Sequence, residues 1–563
     1  MLLVRPLSNI LHVQQEDYKT SRDVPADKVS LDNGTTGNYD EQDSTAVTGL
    51  QEERYRTPES RLRPNGMLRF AGREVGAVGS TTGLVLLSKE GQEWIQSKSG
   101  VSFSTESLYM DRFRDSYTLI PESPPEILRS IGTHDIGLPN QAIVEQCVDA
   151  YQKCSLRMIF PVLDPILFVE SIRIAYHAPN NGLSGISGRT CILSFLVLAS
   201  FFEFGPSAYS PAQARSHTGM VQQVLPTIIE TVTLETFQTC VMLLVFQFYS
   251  GNTTSATITN SLAAQLAFML GGHTQPRLIS MEDEHQGITC RTQRHLRSLF
   301  WICYTIDKEL SFRIRQPPAL PDEYCDLTFS AEYLAQLSVD LSTGVPSQRI
   351  HPCRLFPTDI KLSQIKSRAF KLLYSASAAQ KTNAELLMAV RHLDDDLETW
   401  RIAIPEDLRP SISSESLSHP RNIDTRSLIL RLEYHHCVTV IHQATSRCVA
   451  LDTVPHGVRT GILSSAILAV GASRLSLRYL QISHHILNRG SFCILEHADE
   501  PLATSDLDLL RNVPQLISRM PVHHLTPADI LYIEQLDQFV QELSRVAQSA
   551  LRNARRRQQD EIS

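Results

Sequence analysis

From about residue 125 onward the apolar residues of this chain recur every three or four positions, which commits most of it to α-helix. Residues 291–311 are the clearest case. Leu296, Leu299, Phe300, Cys303, Ile306 and Leu310 form one apolar stripe, and Arg297, Trp301, Tyr304 and Lys308 form a second at the same spacing. Asn140 reads as an N-cap, followed by Val144, Cys147, Val148, Tyr151 and Cys154 on one face. Asp164 reads as the next N-cap, with Pro165 at the first helical position. Further helices are predicted over 189–204, 216–231, 233–250 and 254–270, the last stopped by Gly271 and Gly272. The same period predicts helices over 358–392, 393–403, 424–446, 462–487 and 527–553. The expected fold class is therefore all-α, a multi-helix regulatory body.

With 563 residues, 42% of them hydrophobic, the chain can build two or three packed units. Residues 1–65 are polar, turn-rich and without period, and are expected to be disordered. Residues 66–120 read as a short extended or linker segment, with glycine-flanked runs at Met67 to Gly72 and Gly83 to Ser88 and a short helix over 90–97. The helical core is expected over 121–345, with a C-terminal helical region over 346–563 packed on it. No repeat of 20–50 residues and no sustained heptad pattern is visible.

The net charge of −8 disfavours non-specific attraction to phosphate backbones, so any DNA contact needs a local basic element. One such run, Arg552, Arg555, Arg556 and Arg557, reads equally as a nuclear-import signal or a solvated helix end. The 11 cysteines include no C-x-x-C pair and mostly sit in apolar runs, which fits buried thiols in a reducing compartment. The first residues do not read as a secretory leader. The longest apolar runs, 191–204 and 240–249, are too short to span a bilayer and read as buried helices. No membrane partner is expected.

Catalytic and metal motifs fare poorly. A structural zinc site needs closely spaced cysteine or histidine pairs. Cys147 and Cys154 share a helix face and read as core, and the adjacent pairs His435-His436, His484-His485 and His523-His524 point about 100° apart on a helix. Ser184 and Ser187, within the Gly182 to Gly188 stretch, follow no parallel strand, so that stretch reads as a helix–helix loop and not as a nucleophile turn. Asp394, Asp395 and Asp396 could hint at magnesium, but between Leu393 and Leu397 they read as a solvated helix face. No catalytic, cofactor or metal residue is assigned. The stripe Arg297, Trp301, Tyr304 and Lys308 has two readings. It is a candidate ligand or regulatory site, with guanidinium and aromatic faces suited to an anionic or aromatic molecule. The stronger reading is an amphipathic layer packed against a neighbouring helix.

Several segments together resemble the fungal-specific transcription factor domain, the middle homology region of fungal zinc-cluster regulators of the xylanolytic-activator type. The resemblance rests on Arg294, the aromatic helix Leu299-Phe300-Trp301-Ile302-Cys303-Tyr304, then Asp307, Ser311, and a proline turn holding Pro317, Pro321 and Asp322. Arg315 and Gln316 stand where the family's turn usually carries glycine and arginine. Upstream, Tyr151 through Phe160-Pro161-Val162-Leu163-Asp164 and Phe168 is similar to the start of the family's domain. Ala267 to His273 is similar to one of its helix ends, and 84–100 to the segment before it. The likeness covers about 66–495.

The resemblance implies a nuclear regulator of RNA polymerase II transcription in a fungus, pathway-specific for metabolism and not an enzyme. It implies zinc and DNA contact through an N-terminal six-cysteine cluster, which no residue of this sequence supplies, so DNA would be reached through a missing domain or a partner protein. Implied partners are the transcription machinery or co-regulators, a small-molecule inducer, and a homo- or heterodimer. Near Cys493 a long apolar helix usual in the family is not seen, which predicts local under-packing. Two other classes are a helical small-molecule sensor or co-regulator scaffold without its own DNA contact, and a terpene-cyclase-like enzyme. The second of these is supported only by Asp394, Asp395 and Asp396.

Overall fold

The computed structural model describes residues 67–70, 73–78, 85–103, 137–154, 156–179, 182–202, 204, 211–250, 252–275, 284–314, 316–328, 357–406, 408–411, 425–448, 455–483, 507–508, 511 and 527–562. The expectations for 1–65, Arg315, His484-His485, Cys493 and His523-His524 lie outside them. The described chain is predominantly helical, as the period required. One small antiparallel sheet precedes the helices: β1 (Met67–Phe70), β2 (Arg73–Val78) and β3 (Val85–Leu87), in the order β1-β2-β3. The register shifts between Leu68 and Arg69, a local irregularity in the first ladder. Helix α1 (Lys89–Ser99) follows, capped by Ser88, whose hydroxyl accepts from the Gly91 N–H, and stopped by Gly100 at φ 70°.

The first helical layer contains α2 (Gln141–Lys153), α3 (Leu156–Ile159), α4 (Pro165–His177), α5 (Leu183–Phe201), α6 (Pro211–Ile228), α7 (Leu234–Tyr249) and α8 (Thr253–Met269). Asn140 caps α2 through the Ala142 N–H, and Asp164 caps α4 through Ile166 and Leu167, both as the sequence indicates. The phenol of Tyr151 donates to the Phe160 carbonyl at 2.5 Å and accepts from the Val162 N–H at 3.2 Å, fixing the proline break between them. Helices α5 and α7 are buried on nearly every side, including polar residues such as Arg189, Thr190, Gln238 and Thr239. By length and composition α5 could cross a bilayer, contrary to the expectation that it is too short, yet 83% of its apolar window lies inside the protein.

The stretch from Gly182 to Gly188 corrects the sequence reading. It is the opening of α5, not a loop. A Cβ on Gly188 would lie 2.9 Å from Ile174 Cγ2 and 3.1 Å from the Ala175 nitrogen, so the glycine permits α4 and α5 to touch. Arg189 then caps α4, donating to the Ala175 and Ala178 carbonyls at 3.1 Å each.

Helix α9 (Glu284–Ile314) joins two cores. Its Leu296, Leu299, Phe300, Ile306 and Leu310 belong to the first core, whereas Phe312 belongs to a second. The second core is built by α10 (Ile360–Ala369), a π-helical turn (Phe370–Tyr374), α12 (Asn383–Ala403), α13 (Thr425–Gln443) and α14 (His456–Ser483), with the short α11 (Ala376–Ala379) linking the turn to α12. The expected continuous helix over 358–392 is thus broken, because the Ser375 hydroxyl caps a new turn and Thr382 with Glu385 forms a capping box. Asp394, Asp395 and Asp396 lie within α12. Asp394 contacts His442 Nε2 at 3.1 Å, Asp396 pairs with Arg368 at 2.9 Å, and Asp395 is exposed. Finally, α15 (Pro527–Ile562) lies against α1. Ser549 Oγ and Asn553 Nδ2 both donate to the Ser99 carbonyl, at 2.7 and 2.8 Å, and Phe103 meets Phe539 at 6.3 Å.

Candidate regulatory site

The second stripe of α9 lies beneath an extended strap, residues 316–328, that follows the helix and runs back along it. The strap's composition explains its form. Pro317, Pro318 and Pro321 offer no N–H and cannot continue a helix. The donors left between them, on Ala319 and Leu320, both reach Asp307, at 2.8 Å to Oδ1 and 3.1 Å to Oδ2. Asn260 Nδ2 on α8 donates to the same carboxylate at 2.8 Å. Leu320 is fully buried in the first core, so the polar clamp and an apolar anchor act at one point.

Lys308 completes the clamp. Its ammonium donates to the Leu320 carbonyl and lies 3.2 Å from Asp307 and 3.3 Å from Asp322, with the Tyr304 ring 4.6 Å away. Tyr304 donates to Asp322 at 3.0 Å. Burial, reinforced by the Asp322 carboxylate, pushes the Tyr304 phenol well above its usual range, so it stays a donor. Asp322 opens a short 3₁₀ turn (Asp322–Tyr324). Arg297 holds the strap's far end. Its guanidinium donates to the carbonyls of Asp326 and Thr328, and to Gly272 in the turn after α8, while it packs on the Phe300 and Trp301 rings at 4.8 and 4.6 Å. Gly271, at φ 77°, provides that turn.

The four stripe residues therefore share one surface, and three of them share the strap as a partner. All are buried; the polar ends of Arg297, Tyr304 and Lys308 reach this chain's own strap and not a neighbouring helix, while Trp301 packs against the Arg297 guanidinium and the Tyr304 ring. The other motif residues are less uniform. Asp307 and Ser311 are buried, Arg294 and Asp322 are half-buried, Pro321 is half-buried and Pro317 is exposed. Any molecule that recognises the stripe must compete with the strap for Asp307, Lys308 and Arg297.

Two buried polar nodes were not legible in the sequence. His295 Nε2 meets Gln238 Nε2 at 3.0 Å, and Gln238 also donates to the Val162 carbonyl. Burial lowers His295 to about 4, so it is neutral. The second node lies where the two cores meet. Lys366 of α10 contacts Glu309 of α9 at 2.5 Å and Glu433 of α13 at 3.4 Å, and Arg313 contacts Glu309 at 2.5 Å. Burial pushes Glu433 up to about 7. These partners are 57 and 67 positions apart, and no periodicity connects them.

Among the described residues, no group of three or more histidine, cysteine, aspartate or glutamate side chains is placed to hold a metal ion. His435 and His436 diverge, His435 stacking on Tyr479 and His436 meeting Phe312 edge-on. The buried thiols of Cys147 and Cys240 are pushed up to about 11 and 12 by desolvation, which makes them poor nucleophiles.

Residues 151–402 match the fungal specific transcription factor domain. Two curated relatives are also similar to part of this chain. An ABC-transporter-regulating transcription factor of Aspergillus oryzae is 28% identical over 236 residues, 38% of this chain and 25% of the relative. One of the same description from Aspergillus fumigatus is 27% identical over 249 residues, 40% of this chain and 26% of the relative. The aligned region spans about a quarter of the length of each relative.

Proposed function

We propose that this chain, which carries a fungal specific transcription factor domain over residues 151–402, regulates transcription by RNA polymerase II in the nucleus of a fungus, with the strap over α9 as its regulatory element. The observation that supports the reading most is the clamp itself. Stripe residues Arg297, Tyr304 and Lys308 and the motif residue Asp307 all bond to one extended segment, which includes Asp322, and on this reading the segment exchanges between that clamped form and a released one. An inducer or co-regulator that binds the released form better than the clamped form shifts the population by its differential affinity, with no catalytic step. The relatives' names make membrane-transporter genes the first targets to examine. DNA is reached in the family through a zinc cluster, on this chain's partner or elsewhere in its own protein.

Fusion of the chain to an unrelated DNA-binding domain, read by a reporter in yeast, tests the regulatory role. The expected result is a change in reporter output that Asp307→Asn alters. Reporter output indistinguishable from the DNA-binding domain alone, for both the parent and the variant, contradicts the proposal. Transcript profiling of a strain lacking the gene then tests the target class, and unchanged transporter transcripts remove it.

A further inference from the structure

The run of arginines near the chain's end is not a tail. It lies on α15, whose opposite face is buried through Val546, Ala547, Ala550, Leu551 and Ala554. Residues 543–559 contain five arginines and neither aspartate nor glutamate, in a chain of net charge −8. Arg545, Arg552 and Arg556 stand at intervals of seven and four, so they project along one line of the helix, with Arg555 beside them, and all four are exposed. The line covers about 16 Å of helix axis. Glu542 pairs with Arg545 at 2.7 Å and offsets part of its charge, so the positive charge is concentrated at Arg552, Arg555, Arg556 and Arg557; nearby, Asp508 is paired with Arg511 at 3.4 Å. Asp560 and Glu561 follow the run in sequence.

We propose that this arginine line on α15 contacts the phosphate backbone of duplex DNA, as a sequence-independent contact separate from any zinc cluster. Duplex DNA carries a charge every 3.4 Å or so of its axis on each strand, so about five phosphates per strand lie within 16 Å of axis, enough to meet three or four arginines, and guanidinium groups grip phosphate oxygens two at a time. At physiological salt the Debye length is about 8 Å, so the local excess of positive charge is felt and the distant acidic surface is screened. A nuclear-import receptor is the other class of partner a basic run can serve, but it takes an extended peptide. Here Asn553 is bonded to the Ser99 carbonyl, and Ala550, Leu551 and Ala554 are buried, so extending the run means peeling α15 from α1.

The inference rests on the transcriptional reading for its choice of DNA, and its test is independent of the fusion reporter, which brings its own DNA contact. The full chain is titrated into a fluorescent 20-base-pair duplex of arbitrary sequence, with anisotropy read from about 25 to 200 mM KCl. Binding should weaken with salt at a log–log slope of about −3, the value for three or four neutralised phosphates. The variant R545Q/R552Q/R556Q, with its fold checked by circular dichroism, should lose at least tenfold in affinity at low salt and most of that slope. Arg391→Gln, an exposed change on α12, should alter neither. No binding at 25 mM KCl overturns the proposal, as does a triple variant that binds like the parent. A glutamate-rich peptide that binds the line more tightly than the duplex, or import-receptor capture without DNA affinity, also overturns it by assigning the line to a protein partner.

Discussion

Asp307→Asn is the sharpest probe of the clamp. In the native chain, Asp307 Oδ1 accepts from Asn260 and Ala319, and Oδ2 accepts from Leu320 while lying 3.2 Å from the Lys308 ammonium. The amide keeps one oxygen. Its NH2 must then face either the Asn260 and Ala319 donors or the Leu320 N–H with the Lys308 ammonium. One charge-assisted bond is lost, worth about 1.5–3 kcal/mol. Lys308, almost wholly buried, keeps only Asp322 as a charge partner. Breaking a buried ion pair by removing one member costs about 3–5 kcal/mol, and Asp322 retains part of that, so the net expectation is about 3 kcal/mol. That energy is local to the strap. Hydrogen-exchange mass spectrometry should show peptides covering 316–328 exchanging at least a hundredfold faster, while peptides in α5 and α7 hold their protection. Asp322→Asn, at a half-exposed carboxylate, should cost less. Unchanged protection over 316–328 in the Asp307 variant would refute the clamp, as would an Asp322 variant that costs more.

The remaining predictions concern pH and packing. Glu433, pushed up to about 7 by burial, takes up a proton on folding, so it costs stability as pH rises from about 4.5 through 7. Glu433→Gln should flatten the fall in denaturant midpoint between pH 5 and 8, and an unchanged slope would count against this assignment. His435 is held neutral by burial, at about 3, so stability is lost as pH falls below about 6.5. His435→Phe, which keeps the contact with Tyr479, should make that acid limb shallower in a pH series of thermal melts. A Cβ at position 272 would lie 2.9 Å from the Leu296 carbonyl oxygen, a backbone atom that cannot rotate away. Gly272→Ala should therefore cost about 1–3 kcal/mol by separating α8 from α9, measured by guanidinium unfolding.

What the sequence revealed is what local rules encode. Asn140 and Asp164 announced their helices because a cap acts within three residues, and the stripes of α9 announced their burial because a helix repeats its faces. The partner of the second stripe was hidden, since a proline-punctuated strap has no period to betray where it lies. The Gly182 to Gly188 stretch misled for a related reason. Glycine and serine read as loop from propensity, but here Gly188 is a packing residue whose value appears only when α4 lies against it. Lys366 was invisible for the opposite reason: a lone lysine on a helix is ordinarily solvated, and only the fold brings Glu309 and Glu433 to it.

The bond between Asn553 and the Ser99 carbonyl joins residues 454 positions apart. At the usual pace of synthesis, roughly 5–20 residues per second, α1 leaves the ribosome more than 20 seconds before the helix that covers it exists. Ser99 and Phe103, which meet Ser549, Asn553 and Phe539 in the finished protein, spend that interval without those partners. Helix α15 thus covers α1 long after α1 is made, and α1 with the sheet before it is where a chaperone has a long opportunity to act.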